Sequence, residues 1–539
     1  MDSTMQDAPL TITALFRRGE RVFPDSEVIT FEGEGSKHAR YQDVAARVPR
    51  LAGALRDLGI NADDRVGTLC WNEQEHLEAY FAIPCMGAVL HTLNLRLPPA
   101  QLAQIINHAG DRAIIVDASL APLLAAIRPH LSTVEHVIVV GSGDASALGD
   151  ALEYEALLAA APPAFDWPEI DERTAAAMCY TTGTTGDPKG VVYSHRSIYL
   201  HSFAVWGGLR IEENDRVLVI VPMFHVNAWG VPYAAWMIGS DMLFPGRFLQ
   251  PEPLCTFIRT EKPTFTGGVP TIFTGMLAYV DATGADVSSL KRAVGGGSAV
   301  PMSLIDAFRD RLGIDLIQAW GMTETSPIGT VAQPPKGTPL DEERYFRAKT
   351  GRSVPGVELR IVDDDGNEVP NDGETVGEIE VRGPWITGSY YKADVPEKFH
   401  DGWLRTGDVG NIDSRGFVQI TDRSKDVIKS GGEWISSVEL ETLLMGHPAI
   451  ADAAVIGVPD ERWQERPLAA VVLKQGAVAN PDELRAFLAD KVARWWLPER
   501  WAFVDELPKT SVGKQDKKLM RAMYADGKIA VVELAAAPR

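Results

Sequence analysis

Residues 180–190 read YTTGTTGDPKG and follow the apolar segment of residues 175–179. The glycines allow the backbone to approach a ligand closely, and successive N–H groups with threonine hydroxyls form a cradle for an anion. Lys189 adds a positive charge suited to a β- or γ-phosphate. The stretch is not a Walker A loop, because Pro188 stands where that motif requires its second glycine. We therefore predict a phosphate-binding loop, while an ordinary surface loop is the alternative for this stretch taken alone.

Around this stretch, short apolar runs alternate with segments that carry apolar residues at helical spacing. Strand-like runs occupy residues 112–117, 136–141 and 216–221, and helical spacing occurs in residues 41–58 and 99–109. Such alternation is typical of an α/β fold with largely parallel sheets.

After residue 350 the pattern changes twice. Short alternating strands with Gly/Asp turns extend to residue 418 and indicate a small antiparallel β subdomain or barrel. Beyond residue 424 the strand-like and helical patterns indicate an α+β domain, and a helix is predicted over residues 481–495. The predicted organisation is a large N-terminal domain of stacked α/β sheets (1–423) with a β-barrel-like subdomain (about 351–420), followed by a C-terminal α+β domain (424–539).

Composition excludes several classes of protein. The 539 residues carry a net charge of −21 and contain no lysine- or arginine-rich block, which argues against nucleic acid or an anionic membrane as the main partner. Four scattered cysteines do not suggest a disulfide framework or a zinc site. The N-terminus lacks the pattern of a signal peptide, and the most apolar stretch, residues 79–90, is about half the length that spans a bilayer. We expect a soluble, cytoplasmic protein without a transmembrane segment.

A second motif, QAWGMTE at residues 318–324, follows a strand-like run. Trp320 offers an aromatic ring that could stack on a purine, and Gly321 allows close approach. Glu324 with a threonine hydroxyl is chemically sufficient for Mg²⁺, which prefers oxygen ligands and arrives with substrate phosphates. A lone glutamate is more often a solvated or helix-capping residue, so this motif supports a Mg²⁺ site only together with the other motifs of the chain.

Three further motifs follow in order along the chain. Asp408 ends WLRTGD (403–408) and could accept hydrogen bonds from ribose hydroxyls, as acidic residues do in other nucleotide sites. DRSKD (422–426) precedes IKSGGEWI (428–435), and PKTSVGK (508–514) lies near the C-terminus. Each alone could be a charged surface turn.

Together, in this order and spacing, the motifs resemble those of the adenylate-forming superfamily of acyl-CoA synthetases, peptide-synthetase adenylation domains and firefly luciferase. The resemblance covers about residues 10–525. PMFHVNAWG (222–230) and SGGEWISS (430–437) are most similar to its medium- and long-chain fatty-acyl-CoA ligase branch. The resemblance implies an N-terminal domain that binds ATP and the acid, and a C-terminal lid that rotates between two half-reactions.

The resemblance also implies roles for individual residues. Those expected to bind ATP or AMP are Thr181, Thr182, Gly183, Thr184, Thr185, Gly186, Lys189, Gly296, Gly297, Gln318, Ala319, Trp320, Gly321, Met322, Thr323, Asp408, Arg423 and Lys429. Those expected at the acyl group are His225, Trp229, Gly295 and Gly321, and those expected at coenzyme A are Ser430, Gly431, Gly432, Glu433 and Trp434.

Catalysis is assigned by the same resemblance. Lys514, Glu324, Thr181 and His225 are the expected catalytic residues, Thr181 and Glu324 the Mg²⁺ ligands, and Lys425 the hinge. Two positions depart from the family pattern. Trp320 stands where the family often has tyrosine, so a phenolic contact is lost, and Gln515 stands where an apolar residue is more usual.

The implied activity is an AMP-forming acyl-CoA ligase that uses ATP, Mg²⁺ and the co-substrate coenzyme A, with a medium- or long-chain fatty acid as the expected acid. A short or unusual acid is an alternative, such as an aryl acid or a methylthio-alkanoate like 3-methylthiopropionate. Transfer to a carrier protein or an amine is another. An NAD-dependent oxidoreductase is the remote alternative, because HVIVVGSG (136–143) resembles a strand entering a glycine turn. A homodimer is also left open.

Overall fold

A computed structural model of the chain describes residues 1, 3–181, 188–430, 433–510 and 515–534, with only the backbone described for residues 433 and 434. Two large sheets with helices between and outside them form the N-terminal part, and two smaller sheets follow. The first sixteen strands are β1 (Glu27–Phe31), β2 (Ser36–Arg40), β3 (Arg65–Leu69), β4 (Val89–Thr92), β5 (Asp111–Asp117), β6 (His136–Val140), β7 (Leu152–Glu153), β8 (Ala175–Thr181), β9 (Lys189–Ser194), β10 (Arg216–Val219), β11 (Asp241–Phe244), β12 (Phe265–Gly268), β13 (Arg292–Gly295), β14 (Asp315–Gly321), β15 (Ile328–Val331) and β16 (Arg352–Ser353).

The remaining strands belong to the two smaller sheets. They are β17 (Glu358–Val362), β18 (Gly377–Arg382), β19 (Phe399–His400), β20 (Trp403–Ile412), β21 (Val418–Arg423), β22 (Ile428–Ser430), β23 (Glu433–Ile435), β24 (Ile450–Asp460), β25 (Gln464–Leu473), β26 (Arg500–Phe503) and β27 (Val532–Glu533).

The right-handed helices cover the sheets. They are α1 (Ile12–Val22), α2 (Tyr41–Asp57), α3 (Gln74–Cys85), α4 (Pro99–Ala109), α5 (Ala121–Ile127), α6 (Tyr154–Ala160), α7 (His195–Leu209), α8 (Val231–Ile238), α9 (Pro251–Glu261), α10 (Pro270–Thr283), α11 (Met302–Ala307), α12 (Leu340–Arg347), α13 (Ser437–Met445), α14 (Pro481–Ala489) and α15 (Lys517–Ala525).

Local signals in the sequence account for several helix ends. Helix α1 begins where the Thr11 hydroxyl accepts a hydrogen bond from the Ala14 N–H at 3.2 Å, and α7 begins where Ser194 caps Ser197 in the same way at 3.0 Å. Both contacts satisfy N–H groups that the helix itself leaves unpaired. Helix α4 ends at Gly110, whose φ of 76° is the left-handed conformation that glycine adopts without strain.

The two large sheets confirm the predicted α/β fold. One has seven strands in the order β7-β6-β5-β3-β4-β8-β9, and all neighbours are parallel except β8 and β9. The other has nine strands in the order β16-β15-β14-β13-β12-β10-β11-β1-β2, with a parallel centre and antiparallel edges. Parallel strands run in one direction, so the loops at their carboxyl ends gather on one side of each sheet.

The main core lies between these sheets and includes α1, α2, α3, α7 and α8. Trp236 of α8 is fully buried at its centre, stacks on Tyr41 with ring centroids 4.1 Å apart, and donates its indole N–H to the Phe16 carbonyl at 3.0 Å. Gly19 of α1 lies directly against the Trp236 indole. The N-terminal helix is therefore part of the core.

Two antiparallel-rich sheets complete the chain. Strands β17–β21 form a five-stranded antiparallel sheet in the predicted subdomain region, and β22–β27 form a six-stranded sheet packed on α13, α14 and α15. We propose that the C-terminal domain begins directly after Arg423, because β21 is the last strand of one sheet and β22 the first of the next.

One predicted helix is shorter than expected. The pattern of residues 481–495 predicts one helix, but α14 ends at Ala489 and a separate turn covers Arg494–Trp496. Ala493 has φ of −58° and ψ of 140°, an extended conformation that interrupts the helical path before this turn. Within the described residues, no helix combines the length and apolar character needed to cross a membrane.

The close contact between α1 and Trp236 can be tested with Gly19→Ala. The added Cβ would lie 2.1 Å from the indole nitrogen, so we expect a loss of about 1–3 kcal/mol in the free energy of unfolding of the N-terminal domain. Gly207→Ala in α7 is the matched control, since its Cβ would meet nothing within 4 Å and the helix gains about 0.5–1 kcal/mol from losing a glycine. Denaturant titration measures both, and equal effects would contradict this packing.

Candidate active site

A cavity of about 210 Å³ lies at the carboxyl ends of strands from both large sheets. Thr181 ends β8 of the seven-stranded sheet, and Gly296 directly follows β13 of the nine-stranded sheet. The predicted site residues that the cavity brings together are Thr181, His225, Trp229, Gly296, Gly297, Ala319, Trp320, Gly321, Met322, Thr323, Glu324 and Arg423. Motifs far apart in the sequence thus meet in one place.

The C-terminal domain also reaches this cavity. Thr510 is part of its wall, four residues before Lys514 in the sequence. A backbone bridge joins Lys509 to Gln515, and the Gln515 amide donates hydrogen bonds to Asp452 Oδ1 at 3.0 Å and to the Ala453 carbonyl. The polar residue at position 515, unusual for the family pattern, therefore ties the residue directly after Lys514 to β24.

Several other predicted residues lie outside the described parts of the chain. They are Thr182, Gly183, Thr184, Thr185, Gly186, Gly431, Gly432 and Lys514, and the side chains of Glu433 and Trp434 are likewise outside. Their assigned roles remain predictions.

The remaining predicted residues are placed beside the cavity or away from it. The Gln318 amide accepts a hydrogen bond from the Val300 N–H and donates to the carbonyls of Ala348 and Lys349. Its side chain thus joins β14 to the segment after β13 and to the end of α12. Lys189 lies over the Tyr390 ring, 5.3 Å from the centroid.

In the C-terminal domain, the Ser430 hydroxyl accepts from Arg466 Nη1 at 3.1 Å, while Lys429 is exposed and its N–H donates to Glu465. The Lys425 carbonyl accepts from Arg521, which also pairs with Asp426 at 2.7 Å. Gly295 ends β13, and a Cβ at this position would lie 2.6 Å from Val300 Cγ2. None of these four predicted residues is part of the cavity wall.

Glu324 is held by a tyrosine that the sequence patterns did not reveal. The Glu324 residue is 7% exposed, and Tyr390 Oη donates to its Oε1 at 2.7 Å. Burial raises the pKa of Tyr390, and the Glu324 charge raises it further, so the phenol stays protonated and remains a donor. Only one carboxylate oxygen is used by this bond, which leaves the other for a ligand.

The residues present fit a magnesium ion. Thr181 and Glu324 line the same cavity and offer a hydroxyl and a carboxylate, which are hard oxygen donors. Mg²⁺ usually takes few protein ligands and completes its shell with water and phosphate oxygens. Two oxygen ligands beside a phosphate site are therefore sufficient, and we keep this pair as the proposed metal ligands.

One side of the cavity contains a strained turn. Residues Val226–Trp229 form a left-handed turn with φ between 41° and 58°, a conformation that costs roughly 1–2 kcal/mol for each non-glycine residue. The preceding loop is held by Asn72, which donates to the Val219 and Val221 carbonyls and accepts from the Met223 N–H, each at 2.8 Å. These hydrogen bonds hold the segment that leads into the strained turn and so help to stabilise it.

This turn places the Trp229 indole across the cavity. A Cβ at Gly296 would lie 3.0 Å from the Trp229 ring, so the glycine leaves room for the indole. Apolar side chains from α7, the carboxyl end of β13 and the amino end of β15 line the same cavity: Val205, Leu209, Val294 and Ile328. This half of the cavity suits an uncharged, apolar group.

The opposite half is polar and carries a cation. Arg423 Nε lies 3.2 Å from Asp408 Oδ1, and Trp320 Nε1 donates to Asp408 Oδ2 at 2.8 Å. Asp408 is 5% exposed and lies just behind the wall that Trp320 and Arg423 form. The indole N–H therefore makes a contact with Asp408 that the motif alone did not reveal.

Comparison with known proteins finds similar sequences over almost the whole chain. The model of the family described as AMP-binding enzyme matches residues 16–391, and that of the AMP-binding enzyme C-terminal domain matches residues 439–514. A 3-methylmercaptopropionyl-CoA ligase from Ruegeria pomeroyi is 46% identical, covering 97% of this chain and 98% of the relative. A long-chain-fatty-acid–CoA ligase from Thermus thermophilus is also 46% identical, covering 97% of each chain.

A solved structure shares this architecture. The anthranilate CoA ligase AuaEII in complex with anthranoyl-AMP superposes with a TM-score of 0.87 at 28% identity, covering 97% of this chain and 100% of that one.

The bond from Tyr390 to Glu324 can be tested with Tyr390→Phe. Without the phenol the carboxylate loses a charge-assisted hydrogen bond, so the Mg²⁺ concentration for half-maximal ATP-dependent pyrophosphate release should rise about 10-fold. Tyr391→Phe is the control, because that phenol reaches only the Ala109 carbonyl at 3.5 Å. An unchanged Mg²⁺ dependence in Tyr390→Phe would contradict the role of the bond.

Proposed function

The chain belongs to the family of AMP-binding enzymes and is an AMP-forming acid–thiol ligase, and from this premise we propose that it joins a medium- or long-chain aliphatic carboxylic acid to coenzyme A. The observation that carries the proposal is one cavity with an apolar half around Trp229, an oxygen-rich half at Thr181 and Glu324, and Thr510 of the C-terminal domain in its wall.

The first step joins two anions. A carboxylate oxygen of the acid attacks the α-phosphorus of ATP, an acyl–phosphate bond forms, and pyrophosphate leaves. The barrier arises largely from charge repulsion and misorientation, so positioning and electrostatic stabilisation are the main tools. Mg²⁺, when bound with ATP at Thr181 and Glu324, would neutralise phosphate oxygens.

Protein groups supply the rest of the stabilisation. The threonine–glycine loop after Thr181 would receive the pyrophosphate, and Arg423 with Asp408 would hold the ribose. We assign Lys514 to bridge the acid and the α-phosphate. Support for Lys514 comes from Thr510, since a residue four positions away along the chain is already part of the cavity wall.

The second step uses the same cavity for a different attack. The thiol sulfur of coenzyme A attacks the acyl carbonyl, a thioester forms, and AMP leaves with the electron pair of the broken acyl–phosphate bond. Lys514 would obstruct the thiol, so rotation of the C-terminal domain about Lys425 would remove it and bring Ser430–Gly432 to the site. His225 lines the cavity next to the strained turn and would contact the acyl group from there.

The charges of the cavity wall define the class of acid. Among the described residues that line the cavity, Glu324 and Arg423 are the only aspartate, glutamate, lysine or arginine side chains, and both are assigned to the ATP side, so a second charged group on the acid would be desolvated without a partner. A medium- or long-chain fatty acid fits this wall. The second candidate is 3-methylthiopropionate, favoured by the similarity to the Ruegeria pomeroyi ligase, because its thioether end is also uncharged and weakly polar.

We further propose a cytoplasmic location. The four cysteines are free, buried thiols, as expected in a reducing compartment. The homodimer remains a prediction.

A panel of acids from about three to eighteen carbons, with 3-methylthiopropionate and an aryl acid, tests the proposed function. Exchange of labelled pyrophosphate into ATP should depend on the acid but not on coenzyme A, and thioester should form only when coenzyme A is present. The proposal is wrong if none of the acids in the panel supports exchange. Product formation with an amine or a carrier protein instead of coenzyme A would favour that alternative.

The same panel tests Trp229. Removing the indole in Trp229→Ala enlarges the apolar half, so we expect kcat/KM for the longest accepted acids to rise roughly 10-fold relative to the shortest. Trp206→Ala on the outer face of α7 is the control, because Trp206 is 42% exposed and does not line the cavity. An unchanged chain-length profile in Trp229→Ala would remove Trp229 from the acyl site.

The assignment of Lys514 predicts unequal effects on the two steps. Lys514→Ala should reduce acyl-adenylate formation by at least about 100-fold, since a charge bridging two anions is lost, and should reduce thioester formation from supplied acyl-adenylate far less. Lys518→Ala, at an exposed position in α15, is the matched control. Equal losses in both steps would refute the assignment.

A further inference from the structure

Trp320 links two parts of the N-terminal domain through its indole nitrogen. It lies near the end of β14 in the nine-stranded sheet, whereas Asp408 lies on β20 of the five-stranded sheet. Trp320 Nε1 donates to Asp408 Oδ2 at 2.8 Å, and Arg423 Nε lies 3.2 Å from Oδ1. One carboxylate oxygen therefore accepts a hydrogen bond from the indole, and the other lies in an ion pair with the guanidinium.

The indole hydrogen bond and the ion pair restrain the carboxylate and leave part of its capacity unused. An ionised carboxylate has about four acceptor sites, and the indole N–H occupies one of them. The sites that remain can accept hydroxyl donors. Because a hydrogen bond to an ionised group is strong and directional, the indole N–H restricts where those acceptor sites point.

The ring itself has little freedom to move. A Cβ on Gly329 would lie 2.5 Å from Trp320 Cζ3, so an edge of the indole lies against backbone that only a glycine leaves accessible. The ring also packs against the apolar core of the five-stranded sheet, which includes Ile379 and Leu404. The donor is rigid before any ligand binds.

We propose that Trp320 is a positioning residue that orients Asp408 to accept the ribose hydroxyls of ATP. This inference rests on the proposed function, in which Asp408 holds the ribose. Its distinctive element is the indole N–H: a phenylalanine would keep the packing and the stacking face but could not orient the carboxylate. Recognition of the ribose would then depend on a residue that does not contact it.

Discrimination between ATP and its deoxy analogues provides the test. The parent enzyme should use ATP with a kcat/KM at least about 10-fold above that of 2′-deoxy-ATP or 3′-deoxy-ATP, as expected for one hydrogen bond to a charged group. In Trp320→Phe, kcat/KM for ATP should fall about 10-fold and the preference over the same analogue should shrink to about 2-fold. Pyrophosphate release during adenylation is the readout.

A matched control and a second variant separate positioning from packing. Trp403→Phe removes a buried indole from the same sheet, where Trp403 stacks with Arg360 and Arg382 away from the cavity, and it should keep the preference of the parent. Gly329→Ala keeps both the Trp320 and the Asp408 side chains, but its Cβ displaces the Trp320 ring. It should therefore reduce the preference for ATP as Trp320→Phe does.

The inference is overturned if Trp320→Phe or Gly329→Ala is active and retains the preference of the parent for ATP. It is also overturned if the parent itself does not distinguish the analogues, since Asp408 would then not bind the ribose. Pyrophosphate exchange by the parent with ATP tests the proposed function separately, so failure of this inference is distinguishable from failure of that function.

Discussion

Parallel strands from two separate sheets end at one cavity, and the chemistry of this protein depends on that convergence. Thr181 arrives on the last strand of the parallel part of the seven-stranded sheet, while Gly296 and Glu324 follow strands of the nine-stranded sheet. Each sheet alone would supply only part of the cavity wall. The buried helices between the sheets, centred on Trp236, hold the two edges at the spacing that the cavity needs.

The second constraint is charge. A protein with a net charge of −21 must hold a carboxylate and a triphosphate together, so the site requires local cations and oriented dipoles instead of a general positive field. Arg423 lies in the wall, and so does Thr510 of the C-terminal domain, four residues before Lys514 in the sequence. We propose that movement of this domain adds or removes the positive charge of Lys514 without rebuilding the site.

Much of this was predictable because its signals are local. Strand–helix alternation depends on neighbouring residues, and it correctly predicted the α/β fold; the resemblance of the motifs correctly predicted the family. The length of α14 was mispredicted, because the extended backbone at Ala493 interrupts a helical spacing that the sequence continues to residue 495. Tyr390 was missed because it meets Glu324 across 66 residues of chain, and nothing around Tyr390 in the sequence signals the contact.

The sequence by itself determined which chemical groups are available and in what order they occur, since the threonine–glycine stretch, the QAWGMTE motif and the C-terminal lysine are each readable without coordinates. Only the tertiary structure decided how those groups are oriented. Trp320 suggested a stacking ring, but its N–H is directed at Asp408, 88 residues away, because the ring packs against the core of the five-stranded sheet that carries Asp408. Side-chain direction depends on the path of all the intervening chain, and no local pattern contains that information.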